Sequence, residues 1–200
     1  MNVMIATLGF EAEPLIIGMQ TFNVKKLILI REMDPPSEAK KIESLMQNTF
    51  GAIVDIEVKE VQNWYDILGL VDLVTYLINS EHDKGNRVFV NITGGRKTGS
   101  ISALLGVFKN IDKVSEVFYV TEEAHQVLPI PKISWSLHKT KLDLLRMINK
   151  GVSDIEVLKD ELDISRTMTY THLRDLKEQG LISETSEGYE LTLAGKLILI

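Results

Sequence analysis

The sequence predicts an α/β protein: a mostly parallel sheet with helices on its faces, followed by a small winged helix-turn-helix. Three observations carry this. Short apolar runs rich in β-branched residues alternate with helix-period segments through the first two-thirds of the chain. From His138 onward the order becomes helix, helix, helix, hairpin. The length of 200 residues, with 44% hydrophobic and 25% charged, suits one mid-sized core and one small one. The expected domains are 1–134 and 135–200, with a boundary near 132–138 just after Pro129 and Pro131.

Val3–Thr7 is the first strand, and Leu8-Gly9-Phe10 leads from it into a helix over Glu11–Phe22. Glu11 and Glu13 suit the positive end of that helix, and Pro14 suits its first turn. Lys26–Arg31 is a second strand. Asp34-Pro35-Pro36-Ser37 stops it and offers Ser37 as the cap of a helix over Glu38–Phe50, whose apolar residues Ile42, Leu45, Met46 and Phe50 recur at helical spacing. Ile53–Lys59 alternates as a strand does, Asp66–Asn79 reads as a long helix, and Arg87–Ile92 as a buried strand. Thr93–Ser100 then opens an apolar helix running through Phe108. Glu116–Thr121 and Gln126–Ile130 complete the sheet.

In the second domain, Lys139–Asn149 places Leu142, Leu145 and Ile148 on one face, with Gly151 as the stop. Ser153 followed by Glu156 has capping-box spacing for a helix to Leu162. A turn at Asp163-Ile164-Ser165 leads into Arg166–Gln179, with Leu173 and Leu176 inward. Leu181-Ile182 and Tyr189–Leu193 flank a hairpin turn at Glu187-Gly188.

Composition narrows the chemistry. The chain has no cysteine, which excludes disulfide scaffolds, thiolate metal sites and cysteine nucleophiles. There is no secretion leader and no apolar run of membrane-spanning length, so a cytoplasmic protein with no membrane partner is expected. His82, His125 and His138 are isolated, and the sequence proposes neither a metal nor a cofactor. Net charge is −6, with 13 Lys+Arg against 17 Asp+Glu in residues 1–134 and 9 against 11 in residues 135–200. Neither domain can wrap nucleic acid with its whole surface; binding must use a local basic face.

Two loops at strand ends stand out, because ligands of open α/β sheets bind over the carboxyl ends of strands. Thr7-Leu8-Gly9-Phe10 follows the first strand, and Thr93-Gly94-Gly95-Arg96-Lys97-Thr98 follows the fourth. Gly94 and Gly95 permit close backbone approach to a phosphate at a helix start. Arg96 supplies a planar fork and Lys97 a point charge, while Thr93 and Thr98 add hydroxyls. The spacing matches neither G-x-x-x-x-G-K nor G-x-G-x-x-G. The competing reading is a tight strand-to-helix turn with solvated cations. Trp64-Tyr65 could stack on a base, but an aromatic pair opening an apolar helix reads first as core or interface.

These residues resemble a known family. Thr7–Phe10, the Asn91–Ser100 stretch with Gly94, Arg96 and Lys97, and the C-terminal winged helix are similar to the CRISPR-associated Rossmann-fold (CARF) transcription regulators. The resemblance implies a Rossmann-like, CARF-type first domain and a homodimer binding cyclic tetra-adenylate in a symmetric groove, with a place in antiviral defence. Leu8, Gly9 and Phe10 would line one wall, and Gly94 to Thr98 the other. The winged helices would bind promoter DNA. From the residues alone, an anionic ligand follows, but not a cyclic oligonucleotide over a mononucleotide.

The presumed recognition helix carries Ser165, Arg166, Thr167, Thr169, Tyr170, His172, Arg174 and Lys177 at its start and outer face, types suited to phosphates and base edges of double-stranded DNA. Against this, the hairpin bears Glu184, Glu187 and Glu190 and no cation, which makes a poor phosphate clamp. Two rival readings stand beside the regulator. In one, the groove is a metal-independent phosphodiesterase that cleaves its cyclic oligoadenylate, a 2′-hydroxyl attacking its own phosphodiester while Lys97 stabilises the developing charge. No general base is evident there. In the other, the winged helix is a protein-interaction module.

Overall fold

The structure is a computed structural model that describes residues 1–132, 137–186 and 188–199. Two compact units, Met1–Ser134 and Trp135–Ile200, divide the chain. The expected boundary at 132–138 falls mostly on residues 133–136, and Glu187 of the expected hairpin turn is likewise outside the described residues.

The first unit contains, in chain order, β1 (Asn2–Thr7), α1 (Glu13–Thr21), β2 (Lys26–Glu32), α2 (Ser37–Phe50), β3 (Asp55–Val61), α3 (Ile67–Asp83), β4 (Arg87–Asn91), α4 (Lys97–Lys109), β5 (Val114–Val120) and β6 (Val127–Pro129). The sheet order is β3-β2-β1-β4-β5-β6, all pairs parallel except β5 with β6. Alternation along each strand sorts the core into two layers. Val3, Ile5, Ile28, Ile30, Val88 and Val90 pack with α3 and α4, while Met4, Ala6, Leu27, Leu29, Phe89 and Phe118 pack with α1 and α2. The parallel strands are therefore apolar on both faces, which is why they read as continuous runs. The chain runs from β1 outward to β3, then returns to lay β4 on the other side of β1. That reversal brings the β1 and β4 ends together, at the kind of switch point where open sheets bind ligands.

Several local expectations are corrected. Ser37 lies inside α2 and bonds Glu38, leaving Pro36 at the cap position with no side-chain bond. Only Glu13, not Glu11, lies in the first turn of α1. Asp66 caps α3 through the amide of Gly69, and α3 runs to Asp83 rather than Asn79.

The second unit contains α5 (Lys139–Asn149), α6 (Ile155–Leu162), α7 (Arg166–Glu178), β7 (Ile182–Thr185), β8 (Gly188–Leu191) and α8 (Leu193–Leu199). Its core joins Leu144, Leu145 and Ile148 of α5 to Leu158, Leu173, Leu176, Leu181, Ile182 and Leu191. Leu144, rather than Leu142, completes the inward face of α5. The cap of α6 is Asp154, whose carboxylate accepts from the amides of Glu156 and Val157, not Ser153. Asp163 takes a left-handed turn between α6 and α7, and Ser165 caps α7 by accepting from Met168 N at 3.2 Å. The second hairpin strand ends at Leu191, and Leu193 belongs instead to α8. Among the described residues no helix is long and apolar enough to cross a membrane.

Candidate functional site

The β1 and β4 loops interlock through glycine. A Cβ on Gly94 would lie 2.5 Å from Thr7 O, and one on Gly9 would lie 2.8 Å from Gly95 N. Gly95 adopts φ +80°, a conformation that favours glycine. Only glycines allow this backbone-to-backbone contact. Thr7 is buried and its hydroxyl donates to Gly94 O at 2.5 Å, so it fastens the loops rather than facing a ligand. Thr93 also serves the scaffold, its hydroxyl donating to Asn91 Oδ1 at 2.6 Å and accepting from Val120 N at 2.8 Å. Asn91, buried at the end of β4, also donates to Pro14 O. The sequence marks Asn91 only as the start of the Asn91–Ser100 stretch, and the signal of its scaffold role is a single amide ending an apolar strand.

Beside the glycine contact lies a cleft of about 400 Å³, within the size range of small-molecule sites. Leu8, Pro35, Pro36, Ala39 and Trp64 give it an apolar lining, and Gly95, Arg96, Lys97 and Thr98 give it a basic, polar edge. Arg96 is the cap residue of α4, and no side chain caps that helix end. Its Nε contacts Glu32 Oε1 at 2.5 Å, which raises its already high pKa, and its guanidinium lies 5.9 Å from the Tyr65 ring centroid. Lys97 is exposed and has no ion-pair partner among the described residues. The Thr98 side chain lines the cleft, but its hydroxyl oxygen is itself enclosed and has no hydrogen-bond partner. Thus Leu8, Gly95, Arg96, Lys97 and Thr98 converge on one cleft, with Phe10 exposed at its rim.

A smaller hollow, about 200 Å³, shares Phe10 and Gly95 with the cleft and is lined also by Gly9, Glu11, Glu122 and His125 among others. His125 pairs with Glu13 at 3.7 Å, and the Tyr119 hydroxyl bonds Glu122, raising the phenol pKa and lowering that of the acid. Its carboxylates disfavour anions, so electrostatics selects the Arg96 side. Glu32 is a cleft residue with no sign in the sequence, and of the Trp64-Tyr65 pair, read first as core or interface, only Trp64 is buried while Tyr65 is exposed at the cleft. No group of three or more metal-ligating side chains occurs among the described residues.

In the second unit, α7 and the hairpin border a groove with Thr167, Tyr170, Arg174, Lys177, Glu184 and Tyr189 on its walls. Ser165, Arg166 and Thr167 are exposed at the helix start. Thr169 is fully buried, its hydroxyl bonded to Ser165 O, and is withdrawn from the candidate interface. His172 is half-buried, with Nδ1 enclosed and unpartnered. Each cation of α7 faces a carboxylate: Arg166 to Glu156 at 3.5 Å, Arg174 to Glu178 at 3.9 Å and Lys177 to Glu184 at 2.6 Å. These exposed pairs are individually weak.

Residues 2–125 match the family model described as HFX_2341_N:-like, N-terminal, and residues 138–184 match that of bacterial regulatory proteins of the arsR family. No curated protein matches the sequence. Among solved structures, the chain is similar to Can2 from Sulfobacillus thermosulfidooxidans in complex with cyclic tetra-adenylate (TM-score 0.52, 12% identity, 98% of this chain and 62% of that one). It is also similar to Enterococcus italicus Csm6 bound to cyclic hexa-2′-fluoro-hexa-dAMP (TM-score 0.53, 11% identity, 90% and 56%). Protein VC1899 from Vibrio cholerae gives TM-score 0.55 at 11% identity over 98% of this chain and 63% of that one. The chain spans less than two thirds of each of these three proteins, and at such identities the likeness establishes the fold. The first unit thus has a Rossmann-like fold and residues 138–184 are similar to the helix-turn-helix of arsR-family regulators, and by its match over residues 2–125 the chain belongs to the HFX_2341_N-like family.

Proposed function

We propose that this chain is a CRISPR-associated transcriptional regulator of the cytoplasm that binds a cyclic oligoadenylate in its first unit and double-stranded DNA through its second. The observation that carries this reading is the cleft at the β1/β4 switch point. It joins an apolar lining for bases to Arg96 and Lys97 for phosphate, in a chain that also holds an ArsR-type helix-turn-helix. Cyclic tetra-adenylate is the expected ring, since Can2, which shares the fold, is complexed with it. A homodimer is expected because each domain is net acidic, and two α7 helices would double the phosphate contacts available to one.

Titrating the full chain with cyclic tetra-adenylate by calorimetry tests the site. Arg96→Ala should lose about 10- to 100-fold in affinity, the scale of one hydrogen bond to a charged group. Full-strength binding by that variant would remove the cleft from consideration. Incubation with the ring and chromatography of the products separates sensor from nuclease. Intact ring is expected, because Glu32, the acid nearest Arg96, is already held by that guanidinium; linear products would favour the nuclease.

A further inference from the structure

The cleft borders the β3–α3 connection, residues 62–66, where two adjacent aromatics play opposite parts. Trp64 is 4% exposed and seats on the start of α4, where a Cβ on Gly99 would collide with its ring. Tyr65 is 69% exposed. Its backbone is nevertheless fixed: Tyr65 N donates to Asn63 Oδ1 at 2.9 Å, Ile67 N donates to Tyr65 O at 3.1 Å, and Asp66 N donates to Asn63 O at 3.2 Å. A large ring is thus presented to solvent by a short, internally bonded loop anchored through a buried indole.

Tyr65 also stands between two hollows. One is the cleft already described. The other, about 370 Å³, is lined by Met33, Asp34, Gln62 and Asn63, and shares Glu32, Trp64, Tyr65 and Arg96 with the first. The Tyr65–Arg96 pair therefore borders both hollows, with Lys97 in the first and Asp34, Gln62 and Asn63 in the second. Aromatic faces accept any base, while a carboxamide offers a donor and an acceptor together, the pattern that adenine matches.

Building on the proposed function, we infer that Tyr65 is a nucleobase platform: one adenine of the ligand stacks on its ring in the 370 Å³ hollow, its edge toward the Gln62 carboxamide, while the adjoining phosphate lies at Arg96 and Lys97. The ligand class at this subsite is a purine nucleotide unit, and Tyr65 is a binding residue.

The test uses the full chain, with calorimetry against cyclic tetra-adenylate and cyclic tetra-uridylate and sedimentation of each variant. Tyr65→Ala should weaken cyclic tetra-adenylate by about 5- to 100-fold, the range of one base–aromatic stack, and reduce the preference for adenylate over uridylate. Tyr65→Phe should bind within about twofold of the wild type, because the stacking face is retained. Sedimentation should be the same for all three proteins. The inference is overturned if Tyr65→Ala binds as the wild type does while Arg96→Ala does not. It is equally overturned if Tyr65→Ala loses ligand and oligomeric state together, since the ring is then an interface residue. Wild-type protein that binds no cyclic tetra-adenylate would overturn the functional reading itself, and this inference with it.

Discussion

At the scale of single residues, the cleft's charge is set by a contact across 64 positions of sequence, Glu32 with Arg96. Glu32 ends β2, where it looks like an ordinary solvated strand terminus. In the folded chain it competes with any anion for the Arg96 guanidinium. Glu32→Gln should therefore tighten cyclic tetra-adenylate binding by roughly tenfold, as one charge-assisted partner is removed; unchanged affinity in the same calorimetric titration would mean that Arg96 does not meet the phosphate. The threonines teach a related point. Thr7, Thr93 and Thr98 are the same residue type within one pair of loops, yet the first two spend their hydroxyls on Gly94 O, Asn91 and Val120 N, and only Thr98 has one left over. Residue type and spacing suggest a hydroxyl-rich loop, but which hydroxyls are engaged depends on long-range partners.

At the scale of elements, α4 depends on a residue that local sequence gives no cause to value. Gly99 is buried within the helix, where glycine ordinarily costs about 1 kcal/mol relative to alanine. Here the Trp64 ring fills the space of the missing Cβ. Gly99→Ala should lower stability by about 1–3 kcal/mol, the usual cost of overpacking, despite its better helix propensity, and should move the loop that carries Tyr65. Thermal denaturation followed by indole fluorescence would report both effects. In the second unit, Glu184 of β7 holds Lys177 of α7. Glu184→Gln should release that cation to phosphate, raising affinity for nonspecific DNA and steepening its salt dependence by about one counterion. An unchanged salt slope in fluorescence anisotropy would show that Lys177 makes no phosphate contact. The long helices were legible from their period. The seven-residue α8 was not, since so short a run shows no clear periodicity.

At the scale of the molecule, the first unit is tied together at the end of the sheet opposite the cleft by an ion cluster. Glu81 of α3 accepts from Lys26 of β2 at 3.0 Å, Lys84 at 2.8 Å and Asn86 at 2.7 Å, and Lys26 also pairs with Glu57 of β3. Burial alone would raise the Glu81 pKa, but the Lys84, Lys26 and Asn86 hydrogen bonds outweigh it and hold it at about 2 against an ordinary 4.5. A depressed folded-state pKa stabilises the fold fully above the unfolded value. That contribution, roughly 3 kcal/mol, is lost as pH falls from about 4.5 to about 2. Urea denaturation should show Glu81→Gln to be less stable than the wild type at pH 7, with the difference shrinking below pH 4; a gap independent of pH would remove Glu81 from the acid transition. Between the two units the expected relation is thermodynamic. If cyclic tetra-adenylate changes DNA affinity, DNA must change the ring's affinity by the same factor, which anisotropy and calorimetry measure separately.

Amphipathic period, β-branched runs and turn residues determined the element order and the two glycine-bearing loops at the strand ends. Each is a signal carried within a few neighbouring residues, and for the same reason the order helix, helix, helix, hairpin marked the winged helix-turn-helix. Tertiary structure alone decided that β4 pairs beside β1, so that Gly9 meets Gly94 and Gly95. It also decided that Glu32 and Tyr65 reach Arg96, that Asn91 and two threonines serve the scaffold, and that Thr169 turns inward. The physical reason is that electrostatic and hydrogen-bond partners are chosen by strand order and burial, and both couple residues far apart in the chain.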